Sequence, residues 1–305
     1  MRLYTHPACL DHDPGIGHPE SPARLRAVLQ ALDSPQFAAI ERVEAPLATR
    51  EQLERAHGTE YLDRIFASAP SQGAARLDPD TVMSPGSLEA ALRAAGAACA
   101  ATDAVLARET RRAFCAVRPP GHHATRHEAM GFCLFNSVAI AAAHALDAHR
   151  LDRVAIIDFD VHHGNGTQAI FRHDPRVRYA SSHQMPLYPG TGDASEHGAG
   201  NIFNAPLPPE SGSDEFRAAW DEKLLPELNQ FRPQLLLISA GFDADARDPL
   251  AQLRLVPEDY AWITQRLVEL ADRHADGRIV SALEGGYDLE ALREDVAAHV
   301  AALMV

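Results

Sequence analysis

The chain has 305 residues, 46% hydrophobic and 23% charged, with a net charge of −14 and an isoelectric point near 5.5. So acidic a balance disfavours a nucleic-acid backbone as partner, because phosphate binding needs a basic surface, and no apolar run approaches the ~18 residues of a membrane span. Four cysteines without CxxC spacing exclude a disulfide framework, and the N-terminus lacks a signal peptide's apolar core, so a cytoplasmic, enzyme-sized protein is expected.

No linker, charge block or repeat divides the chain, which predicts one domain over residues 1–305. An Ala-rich amphipathic helix is expected from Ser87 to Leu106, then a strand at AFCAV (113–117) and a helix from Asn136 to Leu146. Strands follow at VAIID (154–158) and VRYAS (177–181), and a helix from Asp214 to Leu228. QLLLIS (234–239) and RIVSAL (278–283) are further strands, separated by a helix from Pro257 to Ala271 that opens on Pro-Glu-Asp. A helix from Leu289 to Leu303 closes the chain. The strands are Val/Ile/Leu-rich without alternation, as parallel strands covered on both faces are. Their alternation with helices predicts a three-layer α/β/α fold around a mostly parallel, doubly wound sheet.

Polar clusters follow each of these strands: RPPGHH (118–123), DFDVHHGNG (158–166), SSH (181–183), SAGFDAD (239–245) and LEGGYD (283–288). Ligands of open parallel sheets bind beyond the carboxyl ends of the strands, so five segments delivering His, Asp and Tyr to one edge mark a site. If residues 158–162 stay extended, Asp158, Asp160 and His162 share a side. Asp160 and His162 could then hold a metal, with Asp243 as third ligand. Two carboxylates and an imidazole leave a position open, which is a catalytic arrangement. That set suits ferrous iron as well as zinc. His122 and His123 follow a rigid Pro-Pro-Gly turn, and Tyr287 follows two glycines that let a loop bring its phenol close to a ligand.

Together with GFCLFN (131–136), these motifs resemble the zinc-dependent histone deacetylase family, including bacterial deacetylases and acetylpolyamine amidohydrolases. The resemblance runs from GHPESPARL (17–25) to the last helix. It implies zinc on Asp160, His162 and Asp243, and His122 and His123 flanking the nucleophilic water. His122 would be oriented by Asp158 and His123 by Asn165; His123 would act as general base and then general acid. Tyr287 would polarise the amide carbonyl and stabilise the oxyanion. Phe132 and Tyr188 would wall an acyl-lysine tunnel, with Gly131 and Cys133 near the acetyl methyl and Arg24 in a cavity behind it. A structural potassium would use Asp158, the Ser181 hydroxyl and the carbonyls of Asp160, His162 and Ser182. A second would use carbonyls near Phe171, Asp174 and Val177.

Asn165 stands where many relatives have an aspartate, and with Leu-Glu-Gly-Gly-Tyr it resembles the class II branch. Leu250 replaces the glutamate gatekeeper of a polyamine-selective relative, which removes one attraction for a distal ammonium. Glu20 or Asp80 could still supply charge at the rim. The expected reaction is therefore hydrolysis of an N-acetylated amine, most readily an acyl-lysine side chain, with an acetylpolyamine or another small amide as rival substrate. A dimanganese ureohydrolase and a non-catalytic acyl-amine binder are the other readings. A homo-oligomer is compatible with the chain.

Overall fold

A computed structural model describes all 305 residues. Its strands are β1 (Arg2–Thr5), β2 (Glu41–Glu44), β3 (Ala75–Arg76), β4 (Val82–Met83), β5 (Arg112–Cys115), β6 (Val154–Asp158), β7 (Val177–Gln184), β8 (Ile202–Leu207), β9 (Leu235–Ala240) and β10 (Ile279–Leu283). Its helices are α1 (Pro22–Leu32), α2 (Arg50–Glu54), α3 (Thr59–Ser68), α4 (Ser87–Leu106), α5 (Ser137–Asp147), α6 (Asn165–Phe171), α7 (Ser213–Ala219), α8 (Leu225–Phe231), α9 (Pro257–His274) and α10 (Leu289–Leu303).

Eight strands form one sheet in the order β2-β1-β5-β10-β9-β6-β7-β8, and every pairing in it is parallel. β3 and β4 form a separate antiparallel ribbon. The two faces of the sheet can be told apart by alternation. Tyr4, Cys115 and Ala282 are in register, and the Tyr4 hydroxyl reaches the Ala100 carbonyl of α4 at 3.4 Å. One residue earlier, Phe114 and Ser281 face the other way, where Ser281 Oγ meets His299 of α10 at 2.9 Å. α4 with α5 covers the first face, and α1, α9 and α10 pack together on the second. An 82-residue apolar cluster fills both interlayers without a break.

The topology puts β5, β10, β9, β6 and β7 side by side. These are the five strands expected to end in polar clusters, so their exits share one continuous edge. All five predicted helices are present, with Asn136 as the N-cap of α5 through Oδ1 and Ala139 N (3.0 Å). The helix expected over 214–228 runs on to Phe231 but carries a π-turn at Trp220–Leu224. Pro226 sits at the start of α8, where a missing N–H breaks the regular ladder.

Candidate active site

β6 ends at Asp158, so residues 158–162 do not remain extended as expected. The chain bends instead, and the bend is held by the acids themselves. Asp160 N donates to Asp158 Oδ1 (3.2 Å) and His162 N donates to Asp160 Oδ1 (2.9 Å). Asp243, leaving β9, accepts from Val161 N at 2.9 Å. His162 Nδ1 then lies 3.2 Å from Asp160 Oδ1 and 3.1 Å from Asp243 Oδ2. The expected ligand trio is thus brought together, buried, on loops rather than on a strand face.

The loop after β10 closes on this trio because it has no side chain there. Gly285 N donates to Asp160 Oδ2 (2.8 Å), and a Cβ on Gly285 would come within 2.1 Å of Asp243 Oδ2. Two buried carboxylates in one place demand a cation. Burial disfavours the imidazolium of His162, yet Asp160 and Asp243 outweigh it and raise its pKa to about 10. The donor set, two carboxylates and one imidazole with one side open, fits a catalytic divalent metal.

His122 and His123 stand beside the trio with different partners. His122 Nδ1 meets Asp158 Oδ2 at 3.0 Å, and Asp158 also accepts from the Tyr179 hydroxyl at 3.0 Å. Burial opposes charge on His122, but Asp160 and Asp158 outweigh it and hold its pKa well above the ordinary range. His123 Nδ1 meets only the neutral Asn165 Oδ1, at 2.8 Å. Burial and the neighbouring His122 and His162 keep its pKa well below the ordinary range. One histidine is therefore built to carry charge and the other to stay neutral.

Around the trio opens a pocket of about 230 Å³ lined by Asp80, His123, Gly131, Phe132, His162, Leu187, Tyr188, Leu250 and Tyr287. It is smaller than a drug-sized site and admits a thin chain. Phe132 and Tyr287 meet edge to face at 6.0 Å, and Tyr188 meets His123 at 5.1 Å. Gly131 has φ +56°, and a Cβ there would come within 2.4 Å of the His123 ring. Cys133 is fully buried behind it, its Sγ 3.2 Å from Gly131 O. Tyr287 is held by its backbone N on Asp248 Oδ2 (2.7 Å) and by Arg24, whose guanidinium lies 4.8 Å from the ring centre. Its hydroxyl is the end left for a ligand.

Arg24 is wholly buried behind Tyr287 and donates to the carbonyls of Glu284 and Gly286. Glu20 is no rim charge: it is fully buried between Arg24, Arg118 and His12. Asp80 does line the pocket. Sequence reasoning missed Glu284, whose carboxylate accepts from Gly121 N (2.6 Å) and His122 N (3.1 Å) and so fixes the turn carrying both histidines. It also missed Asp248 and Leu187 as parts of the site, although Glu284 lies inside the LEGGYD motif.

The oxygen set expected for the inner potassium fits a monovalent cation. His183 Nε2 lies 2.9 Å from the Gly192 carbonyl, so it donates, and Nδ1 accepts from the Ser181 hydroxyl (2.9 Å). The lone pairs of Ser181 Oγ thereby stay available beside Asp158, one register position across β6 and β7. The outer set does not fit: the carbonyls of Phe171, Asp174 and Val177 already accept from the Asn201 amide. A second divalent metal beside the first has no support from His163, which bonds Thr191 Oγ1 (2.8 Å) and Gln168 Oε1 (2.9 Å).

Residues 18–303 match the histone deacetylase domain family. The chain is 43% identical to the histone deacetylase-like amidohydrolase of Pseudomonas aeruginosa, over 89% of this chain and 73% of that one. It is 40% identical to a probable deacetylase of Archaeoglobus fulgidus, covering 94% and 81% respectively. The crystal structure of the HDA15 HD domain superposes with a TM-score of 0.93 at 33% identity, covering 99% of this chain and 87% of the other.

Proposed function

This chain belongs to the histone deacetylase family, and on that premise we propose that it is a zinc-dependent hydrolase of N-acylated amines, with acyl-lysine side chains as the favoured substrate. The observation that carries the reading is the convergence of His123, His162 and Tyr287 on one narrow pocket. Asp160, His162 and Asp243 would hold the zinc, which would supply Lewis acidity toward the amide carbonyl and the attacking water. His123, neutral at Nε2, takes the proton of that water and later delivers it to the departing amine. His122, charged against Asp158, stabilises the negative charge gathering on the substrate. The Tyr287 hydroxyl donates to the oxyanion. Asp158 with Ser181 would hold a structural potassium beneath the site.

The apolar lining by Phe132, Leu187, Tyr188 and Leu250 supports an alkyl stem such as that of lysine. An acetylated polyamine is the second reading, favoured by Asp80, the sole acid in the lining. Acetate release by the zinc-loaded protein, measured side by side on an acetyl-lysine peptide and an acetylated polyamine, separates the two. Turnover of the peptide alone is expected. A polyamine preference would move the assignment to the second reading, and release from neither would remove both.

A further inference from the structure

Asn201 immediately precedes β8, and its side chain is buried, with 3% exposure. Its Nδ2 lies 2.8 Å from the Phe171 carbonyl, 3.1 Å from that of Asp174 and 3.0 Å from that of Val177. Phe171 O and Asp174 O each accept a turn hydrogen bond as well, from Asp174 N (2.9 Å) and Val177 N (3.1 Å). The amide therefore takes the second lone pair of both oxygens.

Neighbours fix its orientation. Oδ1 of Asn201 accepts from Ala199 N at 3.0 Å. Turning the amide over would set its NH2 against that N–H and its oxygen against three carbonyl oxygens. The residue cannot easily swing away, since its own N donates to His197 O (3.1 Å) and its O accepts from Tyr179 N (3.0 Å). Gly198, at φ +55°, lets the loop close over it: a Cβ there would come within 2.8 Å of Asn201 Oδ1 and 2.6 Å of Arg172 O.

We propose that the Asn201 amide replaces a second monovalent cation in this chain, so that the turn from α6 into β7 is clamped by a tethered neutral side chain. Three converging carbonyls need a positive group between them. A potassium ion supplies it only while the ion is bound, whereas the amide hydrogens are part of the chain and hold the turn at any salt composition.

Thallium(I) is a heavy substitute for potassium, and anomalous scattering from crystals grown in it tests the proposal. No peak is expected among Phe171, Asp174 and Val177 in the wild type, and a peak is expected there in Asn201→Ala. A wild-type peak at those carbonyls overturns the proposal, as does an Asn201→Ala crystal without one. Asn201→Ser replaces the alanine variant if the latter does not fold. Thermal midpoints in potassium against tetramethylammonium, at constant ionic strength, give a second reading. Without potassium, Asn201→Ala is expected to melt about 3–5 °C lower than the wild type, and to recover part of that loss in potassium beyond the wild type's own response. Equal potassium responses in the two proteins overturn the proposal.

Discussion

His123 Nδ1 lies 2.8 Å from Asn165 Oδ1, and this contact decides which imidazole nitrogen keeps its lone pair. An amide oxygen can only accept, so Nδ1 carries the hydrogen and Nε2 is free to act as a base. The Asn165 amide is itself oriented, since its nitrogen reaches Met130 Sδ at 3.3 Å. Asn165→Asp would place a negative charge beside Nδ1 and raise the His123 pKa. Because the neutral form is the active one, the acidic limb of the kcat/KM profile should move to higher pH. A limb that stays in place would remove His123 as the titrating base.

Tyr287 is positioned through groups other than its hydroxyl, namely its backbone N on Asp248 and its ring under Arg24. Tyr287→Phe should therefore keep the loop in place and keep the metal bound. Turnover should fall about 10²-fold or more, the cost of losing an oxyanion donor. Steady-state kinetics with metal analysis of the same sample checks both halves. Near-normal kcat would take the phenol out of the mechanism.

The ligand trio binds either a proton or a metal. With its pKa raised to about 10 by Asp160 and Asp243 against burial, His162 must give up a proton before it can coordinate. Below that pH each unit of acidification should cost about tenfold in metal affinity. Chelator competition at three pH values between 6.5 and 8.5 measures the slope. A flat response would show that no proton leaves His162 on metal binding, and would overturn its charged state in the metal-free protein.

Most of the site was legible because its chemistry is written in short motifs that each follow a buried strand. His122, His123, Asp160, His162, Asp243 and Tyr287 all follow the ends of four neighbouring parallel strands, β5, β6, β9 and β10. The edges of the sheet were not legible. β2, Glu-Arg-Val-Glu, is largely exposed and reads as a charged loop. β8 contains Pro206, which only an edge strand tolerates, and it pairs on one side alone. The bend after Asp158 was hidden too, because alternation predicts a strand wherever side chains share a face, while the bond from Val161 N to Asp243 that helps hold the bend joins residues far apart in sequence. Glu20 was misjudged for the same reason. An acid in a Gly/Pro-rich loop reads as solvated, and nothing in the sequence announces two buried guanidiniums beside it.

Glu20 is fully buried, its carboxylate accepting from Arg118 Nη2 at 2.6 Å and from Arg24 Nη1 at 3.1 Å. Burial opposes its ionisation, but Arg118 and His12 outweigh that and hold its pKa well below the ordinary carboxylate range. Its contribution is thus present at neutral pH and is lost progressively as pH falls below the unfolded carboxylate range. Glu20→Gln keeps the shape and strands two buried cations, which should cost about 3–5 kcal/mol. Denaturant unfolding at pH 7 measures it. A loss under 1 kcal/mol would show that Arg24 and Arg118 find other compensation.

Leu250 is tied to Tyr287 through one carboxyl group: Leu250 N donates to Asp248 Oδ1 (2.9 Å) and Tyr287 N to Oδ2 (2.7 Å). Both bonds use backbone, so Leu250→Glu should add a charge to the pocket lining without loosening Tyr287. A distal ammonium passing near that carboxylate gains on the order of 1 kcal/mol in a solvated setting. The kcat/KM ratio of acetylated polyamine over acetyl-lysine peptide should rise about 5- to 10-fold at low salt, and the gain should shrink as ionic strength grows. If the ratio stays fixed at low salt while Tyr287 remains functional, the second amine of a polyamine does not pass Leu250, and Asp80, the other polar group of the lining that could attract it, becomes the residue to test.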